Sequence, residues 1–213
     1  MDTLNQIGDS TMTDSITTDN TYRNYPLLPY DGPGAGYFTS ILDRIIDRLE
    51  HMLDRHSQVL VAHLIVRYPV CVQADEDNAC FQYFIEEYRR FLATAGYDPH
   101  YVWVREKHVS PNPHYHLLLF LNGNEIRYYN STEKADALWS HSLRCRFQTE
   151  IPSSGLIHAA PSSSGFFSTT VPRNDPSVRV QVLQGASYLA KVNTKGDAGR
   201  GVREFGSSVI RKD

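Results

Sequence analysis

Residues 114–122, HYHLLLFLN, limit the fold more than any other stretch of the chain. The run Leu117–Leu121 is apolar on both faces of a strand and far too short to cross a bilayer. It therefore reads as a central strand, covered on both sides. YVWVREKH, residues 101–108, precedes it and also reads as a strand, with SPNP as the turn between them. So short a loop predicts an antiparallel hairpin.

The rest of the chain supplies the cover. Ile41, Ile45, Leu49, Met52 and Leu53 recur at helical spacing among charged residues, predicting an amphipathic helix to about His56 with Ser40 as its cap. VLVAHLIVRYPV, residues 59–70, reads as a buried strand ended by Pro69. Apolar positions 81, 84, 85, 88, 91 and 92 predict a second helix closed by Gly96. STEKADALWSHSLRCR is a third helix, capped by Ser131 or Thr132. GLIHA is a possible short strand in the Ser/Pro/Gly-rich stretch 151–177, and VRVQVLQGASYLAKV a fourth helix. From the first strand on, this is the βαββαβ order of a ferredoxin-like sheet. The expected class is α+β, an antiparallel sheet with helices packed on it. The expected division is an acidic, loosely attached tail over residues 1–36 and one domain over 37–213. Removing such a tail is expected to leave any activity in place.

The net charge of −3 does not announce a nucleic-acid binder, but it is unevenly spread. Residues 1–57 carry nine acids against four arginines, which leaves the rest at about +2. From Val178 onward there are seven basic residues and three acids, a weak footprint for a phosphate backbone. The three cysteines, Cys71, Cys80 and Cys145, cannot all pair and form no CxxC, which favours a reduced, cytoplasmic compartment. His141 and Cys145 have helical i,i+4 spacing, but no second pair accompanies them. The polar, acidic N-terminus has no signal-peptide pattern.

His114 and His116 carry the most chemistry. Residues i and i+2 of a strand share a face, so two imidazoles there can chelate one divalent ion. In a hairpin centred on SPNP, one register pairs Glu106 with His114 and Val104 with His116, bringing a carboxylate to both rings. A slip of one residue would present Arg105 or Lys107 instead, and His108 is the alternative third ligand. Two histidines and a carboxylate leave open positions on a metal. Tyr188 and Lys191, at i and i+3, would share a helix face, where an ammonium favours phenolate and can bind phosphate.

These motifs in this order, HYHLLLFLN after VWVREK and SYLAK much later, resemble the HUH endonuclease superfamily, with Tyr115 as the hydrophobic U. YDPHYVWVRE, GLIHA and the closing KG…REFGSS extend the resemblance from roughly Leu42 to Arg211. The closer match looks like the replication initiators of inovirus-type filamentous phages, grouped with the YagK/YfjJ C-terminal domain. The resemblance implies the HUH fold, an RRM-like sheet, and a site-specific nick at a rolling-circle origin. Carried over by motif, His114 and His116 would hold Mg²⁺ or Mn²⁺, with Glu106 as third ligand. Tyr188 would be the nucleophile, forming a 5′-phosphotyrosine, and Lys191 would assist at the phosphate. Lys195, Arg200, Arg203 and Tyr128 would line the path of a single-stranded or hairpin DNA. Gln184 and Val192 stand four residues from Tyr188 on either side, so there is no YxxxY, and no P-loop occurs. Unwinding would then fall to a host helicase and extension to a host polymerase, with no membrane role. The alternatives are a regulatory DNA-binding prophage protein of the same fold, a relaxase or transposase of the superfamily, and a hydrolase using metal-activated water.

Overall fold

A computed structural model describes residues 15–30, 32, 34–74, 76–107, 110–127, 129, 132–160, 168–195 and 201–211. His108, Tyr128, Ser131 and Arg200 lie outside the described residues.

The described chain begins with four two-residue strands: β1 (Ile16–Thr17), β2 (Thr21–Tyr22), β3 (Tyr25–Pro26) and β4 (Tyr37–Phe38). β1 pairs with β4, and β2 with β3. Arg23 and Asn24, between β2 and β3, both have positive φ, 46° and 66°, the conformation that closes a two-residue hairpin. These residues form a strap across helix α1 (Thr39–Arg55). Leu27 is buried, and the Arg23 guanidinium reaches Asp43, Asp47 and Glu50 on the helix.

The strap corrects the expectation of a loose tail, because the boundary at residue 36 falls inside packed structure from Ser15 onward. Acidic residues suggest solvation when read along the chain. Asp43, Asp47 and Glu50, counted in the same acidic stretch, instead form the surface on which the strap's arginine lands. The expected Ser40 cap is also displaced, because the helix starts at Thr39 and Phe38, two residues earlier, holds the cap position.

After α1 come β5 (Gln58–Arg67), α2 (Ala79–Thr94), β6 (His100–Glu106), β7 (His114–Asn122), α3 (Thr132–Phe147) and β8 (Ile157–Ala159). Pairings run in the order β6-β7-β5-β8, all antiparallel, the arrangement of a split βαβ sheet. Gly96 closes α2 with φ +83°, as the sequence predicts. The Asp136 carboxylate of α3 accepts the Gly155, Leu156 and Ile157 N–H groups and so steers the chain into β8.

Three further elements complete the domain. β9 (Ser168–Pro172) also pairs with β5, and β10 (Phe205–Ser207) adds to the outer edge of β6. The sequence does not announce either, since each is short and half polar. α4 (Pro176–Ala186) is capped by Asp175, whose carboxylate accepts from the Ser177 and Val178 N–H groups.

Both sheet faces are covered, as the LLLFL run requires. Leu117, Leu119 and Leu121 pack with Phe81, Phe84, Tyr88 and Trp139 of α2 and α3. Leu118 and Phe120 pack with Ile41, Ile45, Leu49 and Leu183 of α1 and α4. Among the described residues no helix is long and apolar enough to cross a membrane.

Candidate functional site

Of the registers open to the hairpin, the β6–β7 ladder has the one with Glu106 opposite His114 and Val104 opposite His116, and not the one-residue slip. Cross-strand partners share a face, so the carboxylate and both imidazoles meet on the α1/α4 side of the sheet. Glu106 Oε2 lies 3.2 Å from His116 Nε2 and 3.6 Å from His114 Nε2. Each of the three residues offers one ligand atom, and these atoms all lie within 4.8 Å of one another. Two imidazole nitrogens and a carboxylate oxygen at that spacing can hold a divalent ion. No other such group of three occurs among the described residues. His141 Nε2 and Cys145 Sγ approach to 3.6 Å, but they gain no third ligand there.

Glu106 and His116 are buried, at 3% and 5% exposure, which makes their electrostatics consequential. Burial alone would raise the Glu106 carboxyl. Hydrogen bonds with His114 and His116, and the charge of Lys195, outweigh it and hold the group well below the usual carboxylate range. Glu106 is therefore ionised and ready to act as a ligand. Burial lowers His116, so its imidazole favours the neutral form a ligand needs.

Two neighbours of this cluster are not assignable from the sequence. His63, at the middle of β5, is 1% exposed, and its Nε2 lies 2.9 Å from His116 Nδ1. That bond engages the second nitrogen of His116 and leaves Nε2 turned to Glu106. Burial, above all, depresses His63 to about 3, so it stays neutral. The only sequence signal is a histidine inside an apolar strand run, where a buried imidazole needs a partner.

Lys195 is the second. The sequence places it along a DNA path, but its side chain is 1% exposed and its ammonium lies 2.8 Å from Glu106 Oε1. This corrects the expectation: Lys195 belongs inside the site, as counter-charge to the carboxylate. The two Glu106 oxygens are thereby divided, Oε1 to the lysine and Oε2 to the histidines.

Tyr188 also reaches the cluster, by a different route from the one expected. The helix ends at Ala186, and Ser187–Ala190 form a single 3-10 turn. Lys191 follows in extended geometry, with φ −56° and ψ 135°, so the pair do not share a helix face. Even so, the Lys191 ammonium lies 4.5 Å from the Tyr188 ring centroid, and the Tyr188 and His116 rings are 6.0 Å apart. Burial, then the Glu106 charge, raises the half-buried Tyr188 phenol above its ordinary value. Burial lowers Lys191, with Glu106 opposing.

The expected Arg203, and His158 of the GLIHA segment, lie apart from this group. Arg203 is exposed, and its carbonyl accepts from Asn78 Nδ2 at the start of α2, on the other side of the sheet. His158 pairs with Ile65 in β8, is exposed, and is no member of the cluster.

Fold and site together define an α+β domain whose antiparallel sheet presents a His/His/carboxylate group beside a tyrosine, an arrangement compatible with an HUH-type fold. The profile of the YagK/YfjJ C-terminal domain matches residues 18–208, nearly the whole described chain. The chain belongs to that family. No curated protein and no solved structure matched it in the same comparisons.

Proposed function

We propose that this domain is a metal-dependent nuclease that nicks single-stranded DNA through Tyr188, and that it serves as a rolling-circle replication initiator. The observation that carries the reading is the convergence of Glu106, His114, His116, Tyr188 and Lys191 on one face of the sheet. A divalent ion such as Mg²⁺ or Mn²⁺, held by Glu106, His114 and His116, would draw charge from a non-bridging phosphate oxygen.

This chain's own groups do the rest. Tyr188 Oη attacks the phosphorus, the bond from phosphorus to the 3′ oxygen breaks, and the 5′ phosphate stays on the tyrosine. The phenol proton leaves as the new bond forms, and the departing 3′ oxygen takes up a proton. Because its pKa is raised, Tyr188 enters as a neutral phenol, and the nearby Lys191 ammonium favours the charge that develops on oxygen. Conserving the phosphodiester energy in the tyrosine link leaves rejoining open. The partners are single-stranded or hairpin origin DNA, with a host helicase and polymerase in a bacterial cytoplasm.

The test is a denaturing gel of the protein with Mn²⁺ or Mg²⁺ and single-stranded oligonucleotides tiled across DNA near its own gene. A slower protein–DNA adduct is expected, absent in Tyr188→Phe and with EDTA. Cleavage without an adduct would mean that water attacks. Binding without cleavage on any oligonucleotide would favour the regulatory reading.

A further inference from the structure

Two lysines approach one carboxylate, and the structure separates their roles. Lys195 occupies Glu106 Oε1 at 2.8 Å. The Glu106 charge also acts on Lys191, four residues earlier. Its ammonium sits 4.5 Å from the Tyr188 ring centroid and 4.5 Å from that of Tyr30. Both distances are within cation–π range, so the charge rests between two aromatic rings.

Tyr30 comes from the strap, at the far end of the chain. It is half-buried against the α1/α4 core, and its hydroxyl accepts from Asn193 Nδ2. The surrounding backbone is tied to the same segment. Tyr37 bridges to Lys191, and the Val192 N–H donates to the Gly36 carbonyl at 3.0 Å. The Ser187 hydroxyl accepts from the Leu28 N–H at 2.9 Å. Gly36 has φ +149°, and a Cβ there would stand 2.7 Å from Ile16 Cγ2, so the close approach requires glycine.

We propose that Tyr30 is a positioning residue for Lys191: its ring keeps the ammonium over Tyr188 and leaves the Glu106 carboxylate to Lys195. The hold on Lys191 is a property of the structure alone. Its consequence for nicking rests on the reading of Tyr188 as nucleophile. A flexible lysine beside a carboxylate would otherwise be drawn to it, because a charge pair outweighs a cation–π contact at equal distance. An ammonium held against two rings stays near the phenol, within reach of a phosphate oxygen brought there.

The experiment compares full-length wild type, Tyr30→Leu and Tyr30→Phe, each checked for folding by circular dichroism and thermal melting. Lysines are dimethylated with a ¹³C label, which keeps their charge, and the Lys191 methyl signal is assigned with Lys191→Arg. In wild type and Tyr30→Phe that signal is expected upfield from ring currents. In Tyr30→Leu it moves toward the position of solvated lysines. Mn²⁺ affinity, read by electron paramagnetic resonance, stays unchanged across the three. Adduct formation at saturating Mn²⁺ slows about tenfold in Tyr30→Leu, the scale of one cation–π contact, and is largely restored in Tyr30→Phe. A Lys191 signal at the solvated position in wild type, or unmoved in Tyr30→Leu, overturns the proposal. So does an unchanged adduct rate in Tyr30→Leu. If wild type forms no adduct, the nicking reading fails, and the methyl signal still decides whether Tyr30 holds Lys191.

Discussion

The β6–β7 hairpin and the Ser187–Lys191 segment supply the two halves of the site, and they are built by opposite means. The hairpin places Glu106, His114 and His116 through a ladder between neighbouring strands. The tyrosine segment has no such frame. It is a 3-10 turn at the end of a helix, held by Leu28, Tyr30, Gly36 and Tyr37 of the strap. Local pairing carries one half, and contacts between the two ends of the chain carry the other. The hairpin half should therefore tolerate damage to the strap, and the tyrosine half should not.

The largest effect is expected at the hairpin. His114→Ala with His116→Ala should abolish Mn²⁺ binding by titration calorimetry and lower cleavage by at least about a hundredfold, the scale of losing a preorganised charge-stabilising group. Retained metal-dependent cleavage would break the metal assignment. Next comes removal of the strap. Deleting residues 15–30 exposes the core beneath Leu27 and should lower stability by about 2–5 kcal/mol, the cost of emptying a buried apolar site. Chemical denaturation measures it. This is the opposite of the outcome expected for a loose tail. If the deleted protein keeps full stability and adduct formation, the contrast between the two halves collapses.

A pH effect separates them further. His63 titrates near 3 in the folded, metal-free protein, against a value near 6.5 when unfolded. Between these values the unfolded chain binds more protons, so stability is full above about pH 6.5 and is lost as pH falls toward 3. The contribution to the slope is up to about 1.4 kcal/mol per pH unit for one proton. Denaturation curves across that window should flatten in His63→Gln, and an unchanged slope would show that burial does not hold His63 neutral in the folded chain. The smallest effect belongs to Arg23. It is partly exposed, and its ion pairs with Asp43, Asp47 and Glu50 are solvent-screened, so Arg23→Ala should cost no more than about 1 kcal/mol. A larger loss would mean that the strap is held by charge rather than by Leu27 and its aromatic neighbours.

The same contrast explains which parts of the site are legible in the sequence. Alternation along a strand and the shortness of SPNP bring Glu106 to within a one-residue slip of the His114/His116 face, because each rule acts over a few residues, and the folded ladder decides between the registers. They cannot bring in His63, which reaches His116 from a different strand, β5. Lys195 reads as a surface cation, because nothing in NTKG shows that a carboxylate from β6 lies beneath it. Tyr30 belongs to a stretch whose acidic composition points to solvent, although Asp43, Asp47 and Glu50, which add to that impression, are partners of the strap.

The sequence by itself determined the α+β class, the covered central strand, the hairpin, and the residue types able to hold a metal, while the register was settled by the fold. Periodicity and turn chemistry encode these locally. Only the tertiary structure decided that residues 15–30 are part of the domain, that α4 ends before Tyr188, and that Lys195 turns inward. Each depends on which distant surface is left to be covered. No short-range pattern records that, because burial is shared among segments that meet only when the chain has folded.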